Sequence, residues 1–199
     1  YIITGSSDPK AFSGGNTAVF ITDAGVVLVD TKLPGWGPTI LERVKTVTSK
    51  PVTTIINTHS HNDHSGSNES FSSSVDSVVQ ENTRANMEKM DAFKGDNAKF
   101  LPKKTYKDKL TLGSGKDRID LYYFGPAHTN GDTVVVFPTL RVAHVGDLFR
   151  GKGPALLDAN AGANGLEYSA TLMKAYNGIK NVDTLINGHM TATTTWADL

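Results

Sequence analysis

Residues 52–64 read Val52-Thr53-Thr54-Ile55-Ile56-Asn57-Thr58-His59-Ser60-His61-Asn62-Asp63-His64, a β-branched run that empties into a cluster of metal-ligating side chains. The first half has the pattern of a buried strand. The second half places three imidazoles and a carboxylate between positions 59 and 64. A solvated polar loop is the bland alternative, but histidines are costly to crowd unless a metal or an acid balances them. In an extended exit from the strand, side chains alternate, so His59, His61 and Asp63 project to one side and His64 faces away. One loop could then feed two adjacent metal positions, with His59 and His61 at one and Asp63 and His64 at the other. Zn²⁺ suits a site rich in neutral imidazole with a few carboxylates.

Upstream of this run, Ala18–Ile21 and Val26–Val29 flank Asp23-Ala24-Gly25, a hairpin signal, and the Gly- and Ser-rich stretch 6–16 ahead of them reads as a loop. Ile40, Leu41, Val44 and Val47 recur at helical spacing behind Pro34-Gly35, and Pro51 closes that helix. Downstream, residues 75–79 form a short strand. Residues 81–94 carry Met87, Met90 and Phe93 along one helical side, with the Met pair as core filler. Residues 95–104 read as a polar loop. Strands follow at 110–112, 119–124, 133–137 and 141–145, then a Gly/Ala loop over 151–165, a helix marked by Leu172, Met173, Tyr176 and Ile179, and a strand at 184–186. The element order repeats although the residues do not. Two such halves predict a sheet-on-sheet sandwich with helices outside, in one domain over 1–199.

Composition narrows the partners. Lys+Arg and Asp+Glu are equal at 20 each in 199 residues, so no basic field recommends nucleic acid or an anionic membrane. A small-molecule substrate, neutral or of modest charge, fits better. The absence of cysteine removes disulfides, thiolate ligands and thiol nucleophiles, without fixing the compartment. No apolar run approaches the roughly 20 residues that span a bilayer, and no signal peptide opens the chain. Tyr1-Ile2-Ile3 resembles a strand interior and residues 194–199 a helix start cut short, so further residues are expected at either end. Oligomeric state has no signature here.

Five of the six histidines fall at the end of an apolar strand or just after one: His59, His61, His64, His128 and His189. Asp147 sits similarly in His144-Val145-Gly146-Asp147, where it would cap a turn or serve as a ligand. Strand-end loops on one rim can gather distant ligands at a single site. His144, inside a strand, reads as a core or supporting group rather than a ligand.

With these positions in order, the His-x-His-x-Asp-His run, the later isolated His, the Gly-Asp and the final Gly-His, the sequence resembles the metallo-β-lactamase fold superfamily from Gly14-Gly15-Asn16-Thr17 to His189. The resemblance implies a four-layer αββα sandwich with the site on one edge. It also implies one metal on His59, His61 and His128, a second on Asp63, His64 and His189, and Asp147 bridging both. Met190 after Gly188-His189 departs from the more usual Gly-His-Gly, and Asn130 stands where Pro is frequent; both changes touch the rim. Asp30 resembles the family's acid beneath the metal loop, although a turn-stabilising Asp would look the same. Arg150 occupies a position where some β-lactamases of the family hold a substrate carboxylate, and a solvated loop charge is its other reading. Trp36 would wall the pocket or cover a helix.

Two Zn²⁺ bring four positive charges, and Asp63, Asp147 and a bridging hydroxide return three, which leaves a site suited to a developing oxyanion. Metals about 3.5–4 Å apart can share a water and lower its pKa. The implied activity is a zinc-dependent hydrolase attacking an activated acyl bond: β-lactam, lactone or thioester, with Asp63 and Asp147 as the catalytic carboxylates. An Asp in place of a bridging Cys argues against the Cys-bearing β-lactamases and for the wider branch of glyoxalase II-like thioesterases and lactonases. Alternatives are a phosphodiester substrate, a mononuclear-iron persulfide dioxygenase, or a metal-binding domain without turnover. His61 counts against the fold's diiron flavoproteins, which usually carry Glu there.

Overall fold

The computed structural model describes residues 1–5 and 11–199; positions 6–10 of the expected 6–16 loop lie outside them. The described residues form two six-stranded sheets. The first follows chain order: β1 (Ile2–Ile3), β2 (Thr17–Ile21), β3 (Val26–Val29), β4 (Val52–Ile56), β5 (Asp76–Gln80) and β6 (Lys104–Tyr106). The second comprises β7 (Lys109–Leu112), β8 (Ile119–Tyr122), β9 (Val134–Phe137), β10 (Val142–His144), β11 (Thr184–Ile186) and β12 (Thr194–Thr195), again side by side in sequence. The helices are α1 (Gly37–Lys45), α2 (Asn62–Ser65), α3 (Glu81–Met87) and α4 (Gly165–Gly178).

Strand period two builds the layers. Val27 and Val29 point between the sheets, where they join Ile56, Val78 and Tyr106 against Ile119, Leu121, Val135, Phe137 and Ile186. Val26 and Leu28 point the other way and pack with Ile55 under Ile40 and Val44 of α1. In the second sheet, Val134, Val136, Ala143 and Leu185 face outward with Ile179 and Val182, and Tyr168 and Leu172 of α4 pack against them. The expected sandwich of two similar halves is therefore present. Each half contains a hairpin, a helix and a strand that returns parallel to the hairpin: β3 beside β4 and β10 beside β11.

Several local expectations are corrected. The helix expected over 81–94 ends at Met87; Met90 takes an extended backbone, and 91–93 and 95–100 turn as 3₁₀ segments. Met87 and Phe93 still share one buried cluster beside Val79, so the core is served by a broken chain rather than by one helix. Lys104, read as the end of a loop, instead opens strand β6 with Thr105 and Tyr106, held parallel to β5 and anchored by the Tyr106 hydroxyl donating to Thr133 Oγ1 at 2.7 Å. Residues 194–199 form β12 and one 3₁₀ turn closed by Thr195 and Asp198. Among the described residues, no helix is long and apolar enough to cross a membrane.

Candidate metal centre

The C-terminal ends of β3, β4, β10 and β11 converge. Beyond β4 the exit does not stay extended: the chain bends over 58–60 and Asn62–Ser65 turns helical. This corrects the alternating row. Asp63 is carried onto the turn, and His64, expected to face away, lies with its ring centroid 4.3 Å from that of His59. Glycines make the convergence possible. Gly146 has φ +52, and a β-carbon there would press on Thr58; one on Gly188 would lie against Asp147 Oδ1 and His64.

Three nitrogens face one another. His59 Nε2 and His61 Nδ1 are 3.1 Å apart, His128 Nε2 and His61 Nδ1 3.1 Å, and His128 Nε2 and His59 Nε2 3.3 Å. The opposite nitrogen of each ring is engaged: His59 Nδ1 with Thr58 Oγ1 at 3.0 Å, His61 Nε2 with Asp158 Oδ2 at 2.7 Å, His128 Nδ1 with the Leu156 carbonyl at 2.8 Å. Those outer partners hold the ring protons, so the inner nitrogens present lone pairs. Three lone pairs this close repel unless a cation lies among them, and ligands about 2.0–2.1 Å from a tetrahedral ion would stand at about this separation. Burial, reinforced by the neighbouring histidines, pushes His59 well below its ordinary pKa; burial also lowers His128, opposed by its bond to Leu156 and by Asp147. Both rings are thereby kept neutral and ligand-ready.

The second group is acidic. His189 Nε2 lies 3.2 Å from His64 Nε2, 3.3 Å from Asp63 Oδ2 and 3.2 Å from Asp147 Oδ2. His64 Nε2 lies 3.5 Å from Asp147 Oδ1, which is buried and makes no hydrogen bond among the described residues. Burial opposes charge throughout this group, yet the contacts win: Asp147 and Asp63 hold His189 protonated up to about 9, and the histidines keep Asp147 below the usual carboxylate range. Asp147 therefore demands positive charge, which protons on His64 and His189 or a bound cation can meet. The residues fit one ion at His59, His61 and His128 and another at Asp63, His64 and His189, with Asp147 also within reach of His59 and His64.

Asp30 is the support beneath. It is fully buried at φ +64 and accepts from the Thr58 backbone N–H at 2.8 Å, from Thr58 Oγ1 at 2.8 Å and from His64 Nδ1 at 2.7 Å. It thus props the loop that carries the candidate ligands, through Thr58 and His64, and does more than close a turn. Arg150 stands at the margin, Nε 3.9 Å from Asp147 Oδ2 and its side chain 38% exposed. His144 is buried on the inter-sheet side with Nδ1 accepting from the Gly146 N–H at 3.1 Å, a supporting position. Trp36 ends the loop before α1, its backbone N–H donating to Ser67 Oγ at 2.8 Å. Sequence reasoning missed Asp158, Thr58 and the Leu156 carbonyl. Asp158 was the one acidic residue of the 151–165 loop, which is a weak signal. It also missed Lys32, fully buried with Nζ donating to the Gly15 carbonyl at 2.7 Å, beneath the segment that bridges the His64 and His189 loops.

A two-sheet α/β sandwich with an imidazole and carboxylate cluster at its strand ends defines the class: a protein with a built metal-ligand site. The chain belongs to the metallo-beta-lactamase superfamily, whose family model matches residues 12–190. Among solved structures, a DIM-1 metallo-beta-lactamase exposed to ceftazidime is 20% identical with a TM-score of 0.79, covering 99% of this chain and 87% of that one. The metallo-beta-lactamase from Pontibacter korlensis is also 20% identical, with a TM-score of 0.75 and coverage of 100% and 94%. At such identity the likeness is one of fold. The 2,4-dinitroanisole O-demethylase subunit alpha of Nocardioides sp. (strain JS1661) is 28% identical over 131 residues, 63% of this chain; the match spans 38% of that relative's length.

Proposed function

We propose that the chain is a dinuclear zinc hydrolase acting on an activated acyl bond, such as a β-lactam, lactone or thioester, in a small molecule. The observation that carries this is the placement of Asp147 between a three-nitrogen group and an acidic group, its oxygens 3.9 Å from His128 Nε2 on one side and 3.2–3.5 Å from His189 Nε2 and His64 Nε2 on the other. His59, His61 and His128 would hold one ion, Asp63, His64 and His189 the other, and Asp147 would face both. Two such ions supply an activated water near neutral pH and polarise the scissile carbonyl. The chain's own residues do the rest. Asp30, Thr58, Asp158 and Leu156 hold the rings in the required tautomers. Asp63 and Asp147 stay ionised despite their burial because histidines face them, and their carboxylate oxygens would orient a water by accepting its hydrogen bonds rather than its proton. Arg150 meets a substrate carboxylate at the margin. Phe12, stacked on His189 at 5.7 Å, together with exposed Leu156 and Met190, gives the entrance an apolar lip.

A second reading, cleavage of an activated aryl ether, draws on that lip and on the relative named an O-demethylase subunit. The test is metal content of the purified protein, followed by turnover on a β-lactam, a lactone, a thioester, a phosphodiester and a nitroaryl methyl ether, and by oxygen uptake with a persulfide. Two zinc ions with acyl hydrolysis support the proposal. A single iron with oxygen consumption on a persulfide would overturn it.

A further inference from the structure

One short segment, Leu156-Leu157-Asp158, supports two candidate ligands of the same group. The Leu156 carbonyl accepts from His128 Nδ1 at 2.8 Å, and Asp158 Oδ2 meets His61 Nε2 at 2.7 Å. Both contacts fall on the nitrogen turned away from the three-nitrogen triangle. The segment is itself tied to that place, because the Asp158 backbone N–H donates to the His128 carbonyl at 3.0 Å. Asp158 divides its carboxylate. Oδ1 accepts from the Asn160 N–H at 2.9 Å and closes the 3₁₀ turn at 159–161, which leaves Oδ2 for His61. The outer supports of the other group come from elsewhere: His64 leans on Asp30, and His189 stacks on Phe12. Asp158 is also 30% exposed at its side chain, so a change there leaves the sheets' cores untouched.

We propose that Asp158 is a positioning residue that fixes His61 as an Nδ1 ligand, and so sets the metal affinity of the His59, His61 and His128 group independently of the Asp63, His64 and His189 group. The inference rests on the metal-site reading above. A carboxylate only accepts, so it keeps the His61 proton on Nε2 and leaves the Nδ1 lone pair facing the triangle. Asp158→Asn breaks this in either amide orientation. With the amide nitrogen toward His61, it donates to Nε2 and drives the ring proton onto Nδ1, where it blocks coordination. With the oxygen toward His61, the amide NH₂ confronts the Asn160 N–H, and the charge that makes the ring more basic is lost. Asp158→Ser keeps a cap for the turn and removes only the partner of His61.

The test is a chelator-competition titration with Zn²⁺ on the parent, Asp158→Asn and Asp158→Ser, with the two binding steps assigned by His189→Ala. It is joined to ¹⁵N NMR of the histidine rings in zinc-stripped protein. Both variants should lose about 10–100-fold in affinity at the first group, while the second step stays within about threefold of the parent. Melting of the stripped variants should stay within about 2 °C, and in Asp158→Asn the His61 ring proton should move toward Nδ1. A parent that binds two zinc ions while Asp158→Ser keeps both affinities overturns the role of Asp158 and leaves the metal reading standing. Equal weakening of both steps makes Asp158 merely structural and also overturns it. A parent that binds no zinc overturns both readings.

Discussion

Asp30 and Asp158 make the same contact from opposite sides of the site: each places a carboxylate oxygen 2.7 Å from the outer nitrogen of a candidate ligand histidine. Their surroundings differ. Asp30 is fully buried, holds Thr58 by two further bonds, and through Thr58 reaches His59 in one group while bonding His64 in the other. Asp158 lies on a surface loop and serves one histidine. A buried support is shared and bound up with folding, because removing it strands several donors at once; a surface support can tune one ligand without disturbing the rest.

The most drastic way to break this comparison is to remove the metal. Stripping the protein with a chelator should lower hydrolysis by more than about 10³-fold and lower the melting temperature, since an ion bound only by the folded chain adds to its stability. Unchanged turnover and melting would remove the metal from the argument. Next in size, His189→Ala should bring metal per chain toward one and cut turnover by roughly 10²-fold, with the fold retained because the residue sits on a rim. Metal analysis and circular dichroism of the same sample check both halves.

Asp30→Ala sharpens the contrast directly. It leaves the Thr58 N–H, the Thr58 hydroxyl and His64 Nδ1 without their acceptor in the interior, so it should cost about 3–5 kcal/mol in denaturant unfolding and weaken both metal steps. A loss confined to one step would mean that Asp30 is as local a support as Asp158. At the margin, Arg150→Ala should raise KM about fivefold for anionic substrates and little for neutral ones, equivalent to about 1 kcal/mol for a half-exposed, screened charge. Equal effects on both substrates would return Arg150 to the solvated loop.

A last test concerns Lys32, a buried support of the chain rather than of a ligand, whose pH-dependent effect vanishes below about pH 8. Burial pushes its ammonium down from 10.5 to about 8, against the pull of Asp30. The unfolded chain then holds this proton more tightly than the fold, so stability contributed by Lys32 is lowest below about pH 8 and rises between about 8 and 10.5. Lys32→Met should flatten that rise by up to about 1.4 kcal/mol per pH unit, read by urea unfolding across pH 7–10. An identical slope in the variant would contradict the shift.

The candidate residues were legible in the sequence, while the division that puts His128 in one group and His189 in the other came from the family resemblance. A strand pattern ending in three histidines and an aspartate, followed by isolated histidines and an aspartate at later strand ends, carries chemistry that few folds require, and the apolar runs 18–21 and 26–29 around Asp23-Ala24-Gly25 read as the hairpin that β2 and β3 form. What only the tertiary structure decided was geometry that depends on partners far along the chain. The helical turn at Asn62 brought His64 beside His59, whereas local alternation had sent it away. Asp158 meets His61 across 97 residues, and Lys32 finds its acceptor at Gly15 in a buried position where its composition gives no reason to expect it. A hydrogen-bond partner for an outer ring nitrogen can be any carboxylate, hydroxyl or carbonyl in reach, so its identity leaves no spacing in the sequence; it is fixed only when the sheets pack and the loops between them close.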